Sequence, residues 1–335
     1  MTVRNEAESR LHLVTSRQNA LVKELRKAFS QGEPTSEGYI AVEGVRIIEE
    51  AIRSGLRFQA VFFSESGRAH ATRLLPQIAS QAEILLLPDE IFSSAVSTES
   101  PQGVAALVKL KPATLEDLLK QTSNDFLVVG VAGIQDPGNL GTIIRSAEAF
   151  GAQAVLLGEK SASHFNPKTV RASAGSLFRE PLIRVKMGEA IALLKQHGIR
   201  VVASSSHKGK PLQEADFTGP LALLVGNEGA GLPAEILSEA DELATIPHSS
   251  KVESLNAGIS ASILLYEAAR QRNRVIARDR VIGIQVVVKS CNLGFPSTLG
   301  AMMLVYINLD GDVVKEKRLF FPITRSPDHG DPPIL

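Results

Sequence analysis

The sequence predicts an α/β protein, with a small N-terminal α/β domain, a larger α/β domain and a C-terminal segment of different character. Three observations carry that expectation. Short apolar runs bounded by breakers alternate with segments of helical periodicity from residue 39 onward, the pattern of stacked strand–helix units. The run Phe126-Leu127-Val128-Val129-Gly130-Val131 is apolar without interruption, as a strand covered on both faces must be. A chain of 335 residues, 44% hydrophobic and 21% charged, is long enough for two domains and has ordinary globular composition. Disordered, collagen-like and coiled-coil classes are thereby excluded.

Ser16-Arg17-Gln18-Asn19 precedes an amphipathic stretch over 20–28 and predicts a capped helix. A short strand follows at 39–42, then a helix over 45–52 that stops at Gly55, and buried strands at 60–63, 83–87 and 103–108. This first domain spans 1–112. A polar, helix-prone linker over 113–122 leads to the second, 123–274. There the strand over 126–131 feeds Asp136-Pro137-Gly138-Asn139-Leu140-Gly141, which reads as a turn before a helix over 142–150 closed by Gly151. Further strands are expected at 154–157, 199–203, 221–225 and 243–246, and a long, largely apolar helix over 257–272. In the tail, 275–335, the stretches 281–288 and 304–307 have strand character. Pro296, Pro322, Pro327, Pro332 and Pro333 break up the remainder, and no motif is present.

Lys plus Arg and Asp plus Glu are both 36, so no global basic surplus marks a nucleic-acid binder. The charge is unevenly placed, however. Over 1–30, Arg4, Arg10, Arg17, Lys23, Arg26 and Lys27 outnumber Glu6, Glu8 and Glu24. No apolar run approaches the ~18 residues of a membrane span, and the N-terminus lacks an apolar signal core. The single cysteine, Cys291, forms neither an intrachain disulfide nor a cysteine zinc site. The expectation is a cytoplasmic protein with no membrane partner and no metal.

Three loops carry candidate chemistry, each after an apolar strand. In the first, 136–145, polar groups fall at the carboxyl edge of a parallel sheet, where ligands bind; the alternative is a plain turn with a solvated Arg145. Gly130, Gly133, Gly138 and Gly141 do not have the G-x-G-x-x-G spacing, which disfavours a dinucleotide-dependent oxidoreductase. In the second, 224–233, three glycines permit positive φ and close backbone approach to a ligand, or merely turn the chain. No Gly-Lys-Ser/Thr follows, against a phosphate loop. In the third, 246–256, Ser254 and Asn256 lie near a helix amino terminus, as ligand contacts or as its N-cap.

In this order the three loops resemble the SpoU (TrmH-like) branch of the SPOUT methyltransferases. Asn139, Gly141 and Arg145 match its first motif, Gly226-Asn227-Glu228-Gly229 its second, and Ile246-Pro247 with Glu253-Ser254-Leu255-Asn256 its third. Asn166-Pro167-Lys168 and 171–175 also look like the family, while 42–44 and 100–104 resemble the substrate-binding domain many members carry. The resemblance covers about 14–272. His248 stands where members often have Met, and Ala257-Gly258 replaces a more usual Val-Ser or Val-Ala.

The resemblance implies a catalytic domain with a deep C-terminal trefoil knot, rare enough that no local pattern predicts it. It implies a homodimer with sites completed across the interface, S-adenosylmethionine as methyl donor, and an RNA ribose 2′-hydroxyl as acceptor. A separate leading domain tilts the substrate towards ribosomal rather than transfer RNA. Gly226, Asn227, Gly229, Ile246, Pro247 and Leu255 would then hold the cofactor. Glu228, Ser254 and Asn256 would shape the catalytic pocket, and Asn139 and Arg145 would face the target nucleotide. Arg17, Lys23, Arg26, Lys27, Arg46, Lys168 and Arg171 are the expected RNA contacts. An arginine stays protonated, so Arg145 is expected to orient the hydroxyl and stabilise oxyanion charge. The alternatives are a transfer-RNA methylase and a non-catalytic RNA-binding protein that retains the fold.

Overall fold

A two-residue strand, β1 (His12–Leu13), precedes helix α1 (Ala20–Gln31). The Asn19 side chain caps that helix by accepting from the Leu21 and Val22 N–H groups, and Gly32 ends it at φ 62°. In this computed structural model residues 10–206 and 208–272 are described in full. Beyond them, the backbone strands at 283–287, 299–307 and 313–322 are described. The chain divides into two units, Met1–Val275 and Ile276–Leu335.

The first sheet contains β1, β2 (Tyr39–Glu43), β3 (Arg57–Ser64), β4 (Glu83–Leu87) and β5 (Val104–Lys109). Its order is β1-β4-β3-β5-β2, with β1, β4 and β3 parallel and β5 antiparallel to both its neighbours. Helices α2 (Val45–Arg53), α3 (Ala71–Leu74) and α4 (Asp89–Ala95) complete this part. The two-residue period of a strand separates the faces. Ala41, Phe62 and Leu107 pack against Val22 and Leu25 of α1 and Phe92 of α4. Ile40, Val42, Val61 and Phe63 face the opposite way, with Ile48 and Ala51 of α2, in a cluster that continues into the second sheet's core.

After α5 (Leu115–Leu119) comes a seven-stranded, wholly parallel sheet of order β10-β12-β9-β11-β6-β7-β8. In chain order its elements are β6 (Leu127–Ala132), α6 (Pro137–Ala149), β7 (Ala154–Leu157), α7 (Pro167–Ala172), β8 (Leu182–Arg184), α8 (Met187–Gln196), β9 (Arg200–Ser204), β10 (Lys210–Pro211), β11 (Leu221–Gly226), α9 (Ala234–Glu239), β12 (Glu242–Thr245) and α10 (Ala257–Gln271). Every residue of β6 and β11 is buried, as their uninterrupted apolar runs require. Leu127, Val129 and Val131 pack with Leu140 and Ile144 of α6 and Leu264 of α10. Val128 faces Ile191 and Leu194 of α8 on the other side.

Two sequence expectations are corrected. Helix α6 begins at Pro137, not at 142. The Asp136 carboxylate accepts from Asn139 N–H at 2.8 Å and Pro137 occupies the first helical position, so a capped start replaces the expected turn. The tail carries a third strand that its sequence did not mark: β13 (Gly283–Val287), β14 (Leu299–Ile307) and β15 (Val313–Pro322) form an antiparallel sheet in that order. The expectations that fall on 1–9, 273–282, 288–298, 308–312 and beyond 322 lie outside the described residues.

Candidate active site

Strands β6 and β11 are hydrogen-bonded neighbours in register, with Ala132 opposite Gly226. Their carboxyl ends release the first and second candidate loops side by side, and strand order changes direction here, where open α/β sheets bind ligands. Asn227 fastens the two loops together. Its Nδ2 donates to the Gly133 carbonyl at 2.8 Å, and its Oδ1 accepts from the Gly229 and Ala230 N–H groups at 2.9 and 3.0 Å. The side chain proposed for the cofactor is thus spent mainly on shaping the loop.

Asn139, Glu228 and Asn256 come together from three separate loops. Asn139 Nδ2 donates to Glu228 Oε1 at 2.7 Å, and Asn256 Nδ2 donates to Asn139 Oδ1 at 2.9 Å. Asn256 Oδ1 also accepts from Ile259 N–H at 3.2 Å as the N-cap of α10. Asn256 is thus the N-cap of α10 and also bonds Asn139, while Ser254 is exposed and caps no helix among the described residues. Sequence reasoning missed Asp136. Its Oδ1 caps α6 and its Oδ2 accepts from Lys168 Nζ at 2.7 Å. The Lys168 bond, with the Asn139 N–H behind it, holds the Asp136 carboxyl below the usual carboxylate range. The Asp-Pro pair was the signal for it.

A cleft of about 310 Å³ opens beside this network. Backbone of 226–231 forms one side, with Leu232, Ile246 and Leu255 as apolar walls and Ser254, His248 and Lys208 at polar positions. Of the expected cofactor contacts, Pro247 alone lies outside this lining, in a neighbouring depression with Lys251. Of the three glycines in this loop, Gly231 alone has the expected positive φ, 68°. At Gly226 a Cβ would fall 2.3 Å from the Gly231 carbonyl carbon and 2.4 Å from Leu232 N. Gly226 therefore permits the loop to close on itself.

Arg145 is exposed and makes no hydrogen bond or ion pair among the described residues; the fold does not bring it into the Asn139 network. Among the expected RNA contacts, Arg17, Lys23, Lys27, Arg46 and Arg171 are exposed. Two are engaged within the protein. Arg26 donates to the Ser94 carbonyl and hydroxyl at 3.1 and 3.3 Å, and Lys168 pairs with Asp136. No helix among the described residues is long and apolar enough to cross a membrane, and no group of potential metal ligands occurs among them.

Residues 126–266 match the SpoU rRNA Methylase family, and residues 19–106 match the MRM3-like substrate binding domain. Over 253 residues the chain is 33% identical to the 23S rRNA (guanosine(2553)-2′-O)-methyltransferase RlmP of Bacillus subtilis, covering 76% of this chain and 97% of that protein. It is also 33% identical to the 23S rRNA (uridine(2479)-2′-O)-methyltransferase of Streptomyces viridochromogenes, covering 72% of this chain and 86% of that one. A solved structure of AdoMet-bound rRNA methyltransferase from Sinorhizobium meliloti matches with a TM-score of 0.69 at 29% identity. That match covers 78% of this chain and 98% of the other.

Proposed function

The chain belongs to the SpoU rRNA methylase family, and we propose that it methylates a ribose 2′-hydroxyl of 23S rRNA with S-adenosylmethionine as donor. The observation that carries this reading is the Asn139–Glu228–Asn256 network, held by three loops at the edge of one cleft. The cleft suits the cofactor. Apolar walls at Leu232, Ile246 and Leu255 face a run of backbone amides and carbonyls, the mixture an adenosine ring and its polar edges require. Gly226, Gly229, Ile246 and Leu255 would hold it there, with Ser254 at the rim. Bound S-adenosylmethionine supplies a methyl group already activated on a sulfonium.

The residues of the chain then have to align the acceptor and manage its charge. The Asn139 amide is fixed in orientation, its carbonyl towards Asn256 and its NH₂ towards Glu228. Each end keeps one unused hydrogen-bonding position, so the group can position a ribose hydroxyl without moving. Arg145, exposed and without a partner among the described residues, supplies a permanent positive charge that orients the hydroxyl and stabilises the developing oxyanion.

A homodimer is part of this reading. Ile259 and Tyr266 are 53% and 46% exposed and lie seven positions apart on α10, hence on one face. Tyr266 packs edge-on against Phe150 at the end of α6. The proposed location is the cytoplasm, where rRNA is reached.

The test is incorporation of labelled methyl from S-adenosylmethionine into 23S rRNA isolated from cells lacking this gene. Arg145→Ala is expected to reduce incorporation about 100-fold or more while cofactor affinity, measured by calorimetry, changes less than about twofold. Undiminished transfer by the variant, or no transfer by the wild type, refutes the reading.

A further inference from the structure

A second cleft, about 620 Å³, lies where β2 and the start of α2 meet α7. Its size is within the range of small-molecule sites, and none of its lining belongs to the cofactor cleft. Glu43 lines it and is only 7% exposed. Thr98 Oγ1 donates to one of its carboxylate oxygens, but Oε2 has no hydrogen-bond partner among the described residues. A buried acceptor left open is costly unless something fills it. Burial pushes the Glu43 carboxyl above the usual range, opposed by the Thr98 bond and the nearby Arg171 charge. The carboxylate belongs to a side chain that lines the cleft, and its terminal torsion is soft and nearly two-fold.

The surroundings of Glu43 are cationic despite the acidic residues nearby. Glu49 is paired with Arg53 and Arg73, and Glu50 with Arg53 and Arg179. Arg46 and Arg171 have no hydrogen bond or ion pair among the described residues. Helix α2 also starts here. Its N-cap, Gly44, offers no side chain, and Gln102 Oε1 accepts only from Val45 N–H. The next N–H groups of the first turn remain open, a setting that favours an anion.

We propose that this cleft binds one unpaired nucleotide of the RNA substrate, its phosphate at the start of α2 between Arg46 and Arg171 and its base, guanine, against Glu43. This rests on the chain acting on RNA, as proposed above. Guanine is the base whose Watson–Crick edge presents two adjacent N–H donors, matching the fork of a carboxylate. Glu43 is then a specificity residue, remote from the methyl-transfer network.

Fluorescence anisotropy of the full chain with heptauridylate carrying one central guanosine, inosine or adenosine reads this preference. The wild type is expected to bind the guanosine oligomer about fivefold or more tighter than the adenosine one. Inosine, which keeps N1–H and lacks the 2-amino group, should fall between. Glu43→Gln, nearly isosteric, is expected to remove the preference without changing adenosine-oligomer affinity. Arg46→Ala and Arg171→Ala should weaken all three and flatten the salt dependence. A wild type without guanosine preference, or a Glu43→Gln protein that keeps it, overturns the proposal. Guanosine preference in a protein that methylates no rRNA would refute the function proposed above and support this site. An active methyltransferase without the preference refutes the site alone.

Discussion

Asn256 uses one side chain for two purposes: its oxygen caps α10 and its NH₂ holds Asn139. The two can be separated. Asn256→Asp keeps the capping oxygen but sets an acceptor against the Asn139 carbonyl, so melting temperature should stay near wild type while methyl transfer falls. Asn256→Ala should lose both, with about 1 kcal/mol of stability removed with the cap. Equal activity in Asp and wild-type proteins would dismiss the network as mere capping. Glu180 allows a test away from the site. Burial, reinforced by the charge of Glu148, pushes its carboxyl up to about 8, and its Oε1 has no partner among the described residues. The folded chain thus keeps this proton to about pH 8, whereas the unfolded chain releases it near 4.5. Stability from this group is complete below the lower value and is lost as pH rises through the upper one. Glu180→Gln should therefore melt on the order of 5 °C higher than wild type above pH 8 and no higher near pH 4. Parallel melting curves would contradict this. Residue identities in the three motifs were legible because they are few and closely spaced in sequence. Thr98 and Ser94 were not, since their partners, Glu43 and Arg26, lie on β2 and α1.

Among the elements, the glycine loop after β11 makes the sharpest prediction. Gly226→Ala places a methyl group against the Gly231 and Leu232 backbone, whereas at Gly229 the nearest atom, Asn227 Oδ1, is 3.7 Å away. Gly226→Ala is expected to lower both melting temperature and cofactor affinity, at least tenfold for the latter by calorimetry. Gly229→Ala should leave the melting temperature unchanged. The reverse order would show that the cleft, not the loop's self-contact, needs the small residue. The strands were legible wherever an apolar run was continuous, as in β6 and β11. The start of α6 was hidden because Gly138 and Gly141 look like breakers. Gly141 sits inside the helix because a Cβ there would come 2.5 Å from Ala172 Cβ, which lets α6 lie close to α7. Helix α8 has no capping side chain at its start, so nothing in the sequence marked where it begins.

At the scale of the Met1–Val275 unit, Arg179 ties the two sheets' surroundings together. Its guanidinium forks onto Glu148 of α6 and donates to Glu50 of α2 at 2.7 Å. The pairs are partly exposed, so Arg179→Ala should cost only about 1 kcal/mol. It should loosen the placement of the N-terminal sheet, raising KM for rRNA several-fold with kcat and cofactor affinity nearly unchanged; an unaltered KM would show that the shared apolar cluster suffices. Composition and alternation foretold two α/β parts, but the apolar cluster running from Ile40 and Val42 to Leu177 and Phe178 was not foreseeable, because it depends on which strand faces meet.

The Asn139 network has a consequence for how the chain acquires activity. The Asn256–Asn139 bond joins residues 117 apart in sequence, and the Asn139–Glu228 bond residues 89 apart. Contacts of such range close late, after local helices and neighbouring strands have formed. If methyl transfer depends on this network, as proposed, a nascent or refolding chain holds most of its backbone structure and is still inert, so that activity reports completed folding.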